Sequence, residues 1–221
     1  MNQSTLHTPD KIDRMDKNRA VVNAYNENAT KYAQEYCADQ SDFPYLDNFL
    51  EFIPKHSSVL DVGSGPGFFA KYIFDKGFQI QGVDLSKKMI EIAKENYPQI
   101  NFSLMDMRQL VFPQHSFDAV LCAYSIIHIP TKEVYETLKG FKRVLKNGGY
   151  ILIVTPSGKP DKNIFEPLFG KKMFFNLFTK TRIVKVLSSS GFDVISQVEV
   201  PNPDINKQIS ASIVYTIAQV V

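Results

Sequence analysis

The sequence predicts an α/β fold in which a mostly parallel, doubly wound sheet ends in an antiparallel hairpin. Short apolar runs alternate with amphipathic stretches between residues 57 and 155, the first run ends in a glycine-spaced turn, and two closing runs share a short Pro/Asn loop with no helix between them. The chain has 221 residues, 44% hydrophobic and 22% charged, a composition that suits one globular core. A domain of this size buries roughly 70% of the surface its unfolded chain exposes, so neither disulfides nor a structural metal is needed. Cys37 and Cys122 form no CxxC pair, and His7, His56 and His115 lie in polar surroundings without ligand spacing. Two reduced thiols, a reducing cytoplasmic location and no metal site are the expectation. No apolar leader or run of about 18 apolar residues is present, which argues against secretion and membrane spanning. Twenty-five basic against 23 acidic residues leave +2, too even to point to nucleic acid.

Taken in order, residues 1–18 lack apolar periodicity and read as a flexible arm. In residues 19–53, Val22, Tyr25, Ala29, Tyr32, Tyr36, Tyr45, Phe49 and Phe52 recur at helical steps, giving two capping helices broken near residues 41–44. Strand 57–62, helix 68–76, strand 78–83 and a helix opened by Ser86 over 86–96 follow. Strands are expected at 101–105 and 117–123, and a helix over 131–145 capped by Thr131 with Glu133 in its first turn. Gly148 and Gly149 then turn the chain into strand 150–155. Residues 157–187 form an insertion rich in Phe and Lys, read as a lid with helical character. A helix over 179–190, stopped by Gly191, leads to strands 192–200 and 210–220. A short connection forces these two strands to pair antiparallel.

The chemistry concentrates at Asp61-Val62-Gly63-Ser64-Gly65-Pro66-Gly67-Phe68. Gly63 and Gly65 open backbone conformations closed to other residues and allow a ligand to lie on the main chain. In a doubly wound sheet this turn lies at the crevice where strand order reverses. Asp84 follows Gly63 by about 20 positions, the separation at which a carboxylate meets a ribose diol. Phe68 stands where a dinucleotide fingerprint requires its third glycine, which leans away from NAD. Asp61 just before the loop would repel a pyrophosphate but accept from an ammonium group. A nucleoside-bearing ligand with an amine is implied.

Residues 59–67, Gly82-Val83-Asp84-Leu85-Ser86, Asp106-Met107, Phe117-Asp118-Ala119-Val120 and Leu145-Lys146-Asn147-Gly148-Gly149 together resemble the ordered motifs of class I S-adenosylmethionine-dependent methyltransferases. The segment from Tyr25 to Tyr32 resembles the helix that closes over the cofactor in many members, so the likeness covers about residues 20–221. It implies a Rossmann-like seven-stranded sheet with an antiparallel last strand. By position it places Asp61, Gly63, Ser64 and Gly65 around the methionine part of S-adenosylmethionine, and Asp84 on the ribose. Leu85 and Met89 fall beside the adenine, Asp106 at its amino group and Met107 on the ring. Cys122 and Ala123 fall near the sulfonium, and Tyr25 and Tyr32 cover the cofactor. S-adenosylhomocysteine is then the product.

Methyl transfer from a sulfonium is an in-line displacement, so a base is needed only where the acceptor must lose a proton. His128, just after the fourth core strand, is the best-placed candidate. An Asn/Asp-Pro-Pro-aromatic element would mark a base-modifying enzyme; Ala123-Tyr124-Ser125-Ile126 stands there instead, which argues against nucleic acid as the acceptor. The insertion carries Lys159, Lys162, Lys171, Lys172, Lys180, Arg182 and Lys185 against Asp161 and Glu166, with Phe165, Phe169, Phe174, Phe175 and Phe178 between them. This pattern predicts an apolar lid with a basic rim, suited to an acidic, partly hydrophobic small molecule or to peripheral contact with an anionic membrane. A methyltransferase acting on a small molecule, monomeric or weakly dimeric, is the reading; a nicotinamide-dependent oxidoreductase and a non-catalytic S-adenosylmethionine-binding protein are its alternatives.

Overall fold

The computed structural model describes residues 9–166, 168–203 and 209–221, the side chains of residues 9–17 excepted. Five strands, β1 (Ser58–Val62), β2 (Gln79–Asp84), β3 (Asn101–Leu104), β4 (Phe117–Ala123) and β5 (Leu145–Pro156), run parallel. With β8 (Phe192–Pro201) and β9 (Ser212–Val220) they make a seven-stranded sheet in the order β3-β2-β1-β4-β5-β9-β8. β9 inserts between β5 and β8 and runs antiparallel to both. The chain leaves β1 for β2 on one side and later returns for β4 on the other, and that reversal opens a crevice at the carboxyl edge.

Side-chain alternation divides the core. In β4, Val120 and Cys122 enter a cluster containing Leu138 and Phe141 of α5 (Thr131–Val144) and Ile183 and Leu187 of α6 (Lys180–Ser189). Ala119, Leu121 and Ala123 face the opposite cluster, with Leu46 and Phe49 of α2 (Phe43–Leu50), Ala70 and Ile73 of α3 (Phe68–Asp75) and Ile90 and Ala93 of α4 (Lys87–Asn96). Ser86 caps α4, its hydroxyl accepting from Met89 N. At α5 the expected cap is displaced by one residue: Pro130 holds the N-cap position, and the Thr131 hydroxyl turns outward to Asn176 and Arg182.

Helix α1 (Pro9–Tyr36) lies across the crevice. It begins inside the expected arm, of which residues 1–8 lie outside the described residues. The insertion over 157–187 also departs from expectation. It holds a β-hairpin, β6 (Lys162–Glu166) with β7 (Lys171–Phe175), while α6 follows at Lys180 with Thr179 as its cap, as expected. Met173, Phe174 and Phe175, consecutive on β7, are all buried and join Val21 and Ala24 of α1 and Ile127 after β4 in a third small core, so the apolar residues that suggested a helix face satisfy a strand pair. Lys171 pairs with Glu27 at 2.8 Å and Lys31 Nζ donates to the Leu168 carbonyl at 2.9 Å, tying hairpin to helix. No helix among the described residues is long and apolar enough to cross a membrane.

Phe141 is fully buried between sheet and α5. Phe141→Ala should cost about 3–5 kcal/mol, read as a lowered midpoint in chemical denaturation with unchanged far-ultraviolet circular dichroism.

Candidate cofactor and acceptor site

A cavity of about 890 Å³ fills the crevice beneath α1 and the hairpin. That is near the top of the roughly 300–1,000 Å³ range of small-molecule sites. Its floor is the turn after β1. Gly63 and Gly65 have φ of +75° and +52°, yet their missing side chains serve different ends. A Cβ on Gly63 would stand 2.2 Å from Ser125 Cβ, whereas one on Gly65 would meet nothing within 4 Å and would project into the open cavity. Only at Gly65 is the space left for a ligand.

Asp84 fastens this turn to the end of β2. Its carboxylate accepts from Gly65 N at 2.8 Å and Ser86 N at 2.7 Å, one bond to each oxygen, and lines the cavity with its remaining lone pairs. Burial raises its pKa, opposed by these backbone donors. Beneath the loop, Asp61 Oδ2 and Ser64 Oγ are buried with no hydrogen-bond partner among the described residues. Burial, with the nearby Asp84 charge adding to it, pushes the Asp61 carboxyl up to about 8. An open glycine floor, a carboxylate with spare acceptors and two orphaned polar atoms suit a polyhydroxylated ligand bearing a cation.

Of the sequence-predicted residues, Tyr25, Tyr32, Gly63, Ser64, Gly65, Asp84, Leu85, Met89, Asp106, Met107, Ala123 and His128 come together on the cavity wall. Asp61 lies behind that wall. Cys122 does not reach it, because alternation along β4 turns it to the α5 face while Ala123 faces the cavity. The Ser125 hydroxyl donates to Val62 O, so the thiol 3.2 Å away donates to Ser125 Oγ, and burial pushes Cys122 up to about 12. Asp106 is already engaged: it accepts from Arg108 N and from the Nε–Nη2 edge of the Arg108 guanidinium, whose Nη1 reaches Glu133 at 3.0 Å.

His128 sits where α1 meets the hairpin. Nδ1 lies 3.1 Å from the Phe174 carbonyl, which can only accept, so Nδ1 carries the proton. Nε2, 3.0 Å from the Tyr25 hydroxyl, is then the acceptor. Burial depresses the imidazole to about 4, so it is neutral across the physiological range. Tyr25 packs edge-on to Tyr32, Phe169 and the His128 ring. Asn26 on the next position of α1 accepts from Ser86 Oγ and Lys88 N, pinning the helix beside Asp84.

The acceptor side differs from expectation. None of the seven basic residues of the insertion lines the cavity, and the hairpin presents Phe169 and Phe175 to it instead. The charged groups around this half are Glu35, Asp39, Asp42 and Glu166 against Lys31. Sequence reasoning also missed Asp42. It stands at the N-cap position of α2, but its side chain caps nothing there.

Residues 59–149 match the family model described as a methyltransferase domain. A methyltransferase of Bacillus subtilis, YqeM, is 34% identical over 130 residues, 55% of this chain and 52% of the relative. A ubiquinone biosynthesis O-methyltransferase of Nitrosospira multiformis is 27% identical over 141 residues, 62% of this chain and 57% of the relative. The chain thus spans little more than half the length of these curated relatives. The fold is shared with a 1,6-didemethyltoxoflavin-N1-methyltransferase from Burkholderia thailandensis, solved with 1,6-didemethyltoxoflavin and S-adenosylhomocysteine. That match has a TM-score of 0.73 at 16% identity and covers 100% of this chain and 93% of that one. Residues 59–149 thus carry a methyltransferase-domain match, and the relatives and shared fold support a class I S-adenosylmethionine-dependent methyltransferase with S-adenosylmethionine as its cofactor.

Gly63→Ala should cost about 3 kcal/mol of stability, whereas Gly65→Ala should cost about 1 kcal/mol but weaken S-adenosylhomocysteine binding at least tenfold, compared by thermal unfolding and calorimetry. Asp61 holds its proton in the folded state up to about 8, while the unfolded chain releases it near 4. The native state therefore binds more protons in that window, and stability falls as pH rises through it. Melting temperatures of the ligand-free protein between about pH 5 and about pH 8 should show this slope, and Asp61→Asn should flatten it.

Proposed function

We propose that the protein is a methyltransferase that moves the methyl group of S-adenosylmethionine to a small aromatic or heteroaromatic acceptor. The observation that carries this reading is one continuous cavity whose floor has the ribose-accepting carboxylate and whose roof is aromatic. S-adenosylmethionine supplies an activated methyl on a sulfonium, displaced in line with loss of the positive charge. The chain's own part is positioning and exclusion of water. Asp84 would hold the ribose hydroxyls, Leu85, Met89 and Met107 would bracket the adenine, and the Gly63–Gly65 turn would carry the methionine portion. The Arg108 fork orients Asp106, which would accept from the adenine amino group. Tyr25 and Tyr32 close the cofactor side.

His128 is assigned a positioning role, because both ring nitrogens are engaged, one by the hairpin and one by Tyr25. Phe68, Phe69, Tyr124, Phe169 and Phe175 give the acceptor half flat apolar walls, which suit a ring system. The names of the Nitrosospira relative and the Burkholderia neighbour agree with a small-molecule acceptor. The nicotinamide alternative is disfavoured by Phe68 at the third fingerprint position and by Asp61 under the loop.

Calorimetry should show S-adenosylhomocysteine binding and no NADH binding. Asp84→Ala should weaken the former at least about thirtyfold, the worth of a charge-assisted hydrogen bond near 2 kcal/mol. Retained affinity would remove Asp84 from the ribose. Release of S-adenosylhomocysteine in an acceptor screen separates an enzyme from a binder. With an acceptor in hand, the pH profile of kcat/KM should lack a limb near about 6.5, since His128 titrates far lower; a limb there that His128→Asn removes would restore it as a base.

A further inference from the structure

Among the charged residues that line the acceptor half of the cavity, Asp42 is the buried one. Asp42 is 8% exposed and lines the cavity. Tyr124 donates to its Oδ1 at 2.8 Å, and Tyr215 donates to the same oxygen. Oδ2 receives no hydrogen bond from any described residue. The carboxylate sits at the N-cap position of α2 without capping it, so its own helix does not account for it.

The surroundings are arranged at some cost. Tyr124 follows β4 directly and has φ of +53°, a left-handed conformation that a bulky residue adopts only when held there. It is held by its amide bond to Val154 O at 2.9 Å, and the result is a phenol aimed at Asp42. Tyr215 reaches the same oxygen from β9, stacked on Tyr45 of α2 with ring centroids 3.8 Å apart. Three elements thus converge on one carboxylate beside aromatic walls. Of the cavity's cations, Lys31 is turned to the Leu168 carbonyl, and Arg108 is held by Asp106 and Glu133. Burial raises the Asp42 pKa, opposed by the two tyrosines, which is the expected state of a carboxylate awaiting a counter-charge.

We propose that Asp42, oriented by Tyr124 and Tyr215, is the acceptor-recognition carboxylate and selects an aromatic amine, docked through its cationic or N–H-donating nitrogen, over an acidic acceptor. The proposal rests on the methyltransferase reading, since it assigns the second half of the same cavity. Carboxylate plus aromatic wall is the pairing that recognises an ammonium or amine, by a charge-assisted hydrogen bond and a cation–π contact. It reverses the preference for acids that the lysines of the insertion suggested.

Tyramine and 4-hydroxyphenylacetate are suitable probes, being nearly the same shape with opposite charge. Each is titrated into the full chain saturated with S-adenosylhomocysteine and followed by ligand-observed nuclear magnetic resonance. Tyramine should bind with a Kd of about 1 mM or tighter and 4-hydroxyphenylacetate at least about tenfold more weakly. Asp42→Asn, which keeps an acceptor for both tyrosines, should remove this preference while S-adenosylhomocysteine affinity stays within about twofold. Equal or tighter binding of 4-hydroxyphenylacetate, no binding of tyramine, or an unchanged preference in Asp42→Asn would each overturn the proposal. A variant that merely unfolds is recognised by lost S-adenosylhomocysteine binding, and Tyr124→Phe, which keeps the acid and removes one donor, then serves as the second arm: a preserved tyramine preference supports the role of Asp42, and its loss with the cofactor still bound refutes it. Absence of S-adenosylhomocysteine binding in the unaltered chain would instead overturn the methyltransferase reading.

Discussion

The two hydrogen bonds that Asp84 accepts from Gly65 N and Ser86 N join the ends of adjacent parallel strands. A parallel pair leaves its carboxyl ends side by side but unconnected, so the loops above them would be free to drift apart. One carboxylate removes that freedom. It holds the β1 turn in the conformation that its positive-φ glycines allow, and it presents Ser86 to cap α4. Through Ser86 it also receives α1, because Asn26 docks on that hydroxyl. Floor, wall and roof of the cavity are thus registered to a single side chain.

The roof is a second unit with its own small core. Val21 and Ala24 of α1, Ile127 after β4 and the buried face of β7 enclose each other, and the His128 ring bridges Tyr25 to the hairpin backbone. A neutral imidazole suits that task, since it donates from one nitrogen and accepts at the other. Burial keeps it neutral. The same low-dielectric setting leaves Asp61 protonated until a cation arrives and leaves Asp42 facing the cavity with one oxygen open. Both ends of the cavity therefore carry a buried acid of related physics, one beneath the glycine turn and one beneath α2.

Much of this was legible in residue order. The parallel core follows from strand–helix alternation, and Asp84 follows from its distance to the glycine turn. Ser86 and the closing antiparallel pair follow from local capping and connection length. Period-2 alternation even separates Ala123 from Cys122, although proximity in sequence made them look equivalent. The hairpin over 162–175 was not legible, because its Phe and Lys spacing fits a helix face as well as a strand pair, and only packing against α1 decides between them. The engagement of Asp106 by Arg108 was not legible either, because the arginine adds nothing to a motif.

By itself, then, the sequence determined the sheet, the glycine floor and the acid that fastens it, since these depend on short-range backbone geometry and on spacing within one strand–turn–helix unit. Only the tertiary structure decided which charges face the cavity. The lysines of the insertion sit next to the cavity in sequence but point outward. Asp42, Tyr124 and Tyr215 are separated by 82 and 91 positions and meet at one carboxylate oxygen. Charge counts along a chain sum over all directions, whereas a cavity senses only the side chains that the packing of three distant elements turns inward.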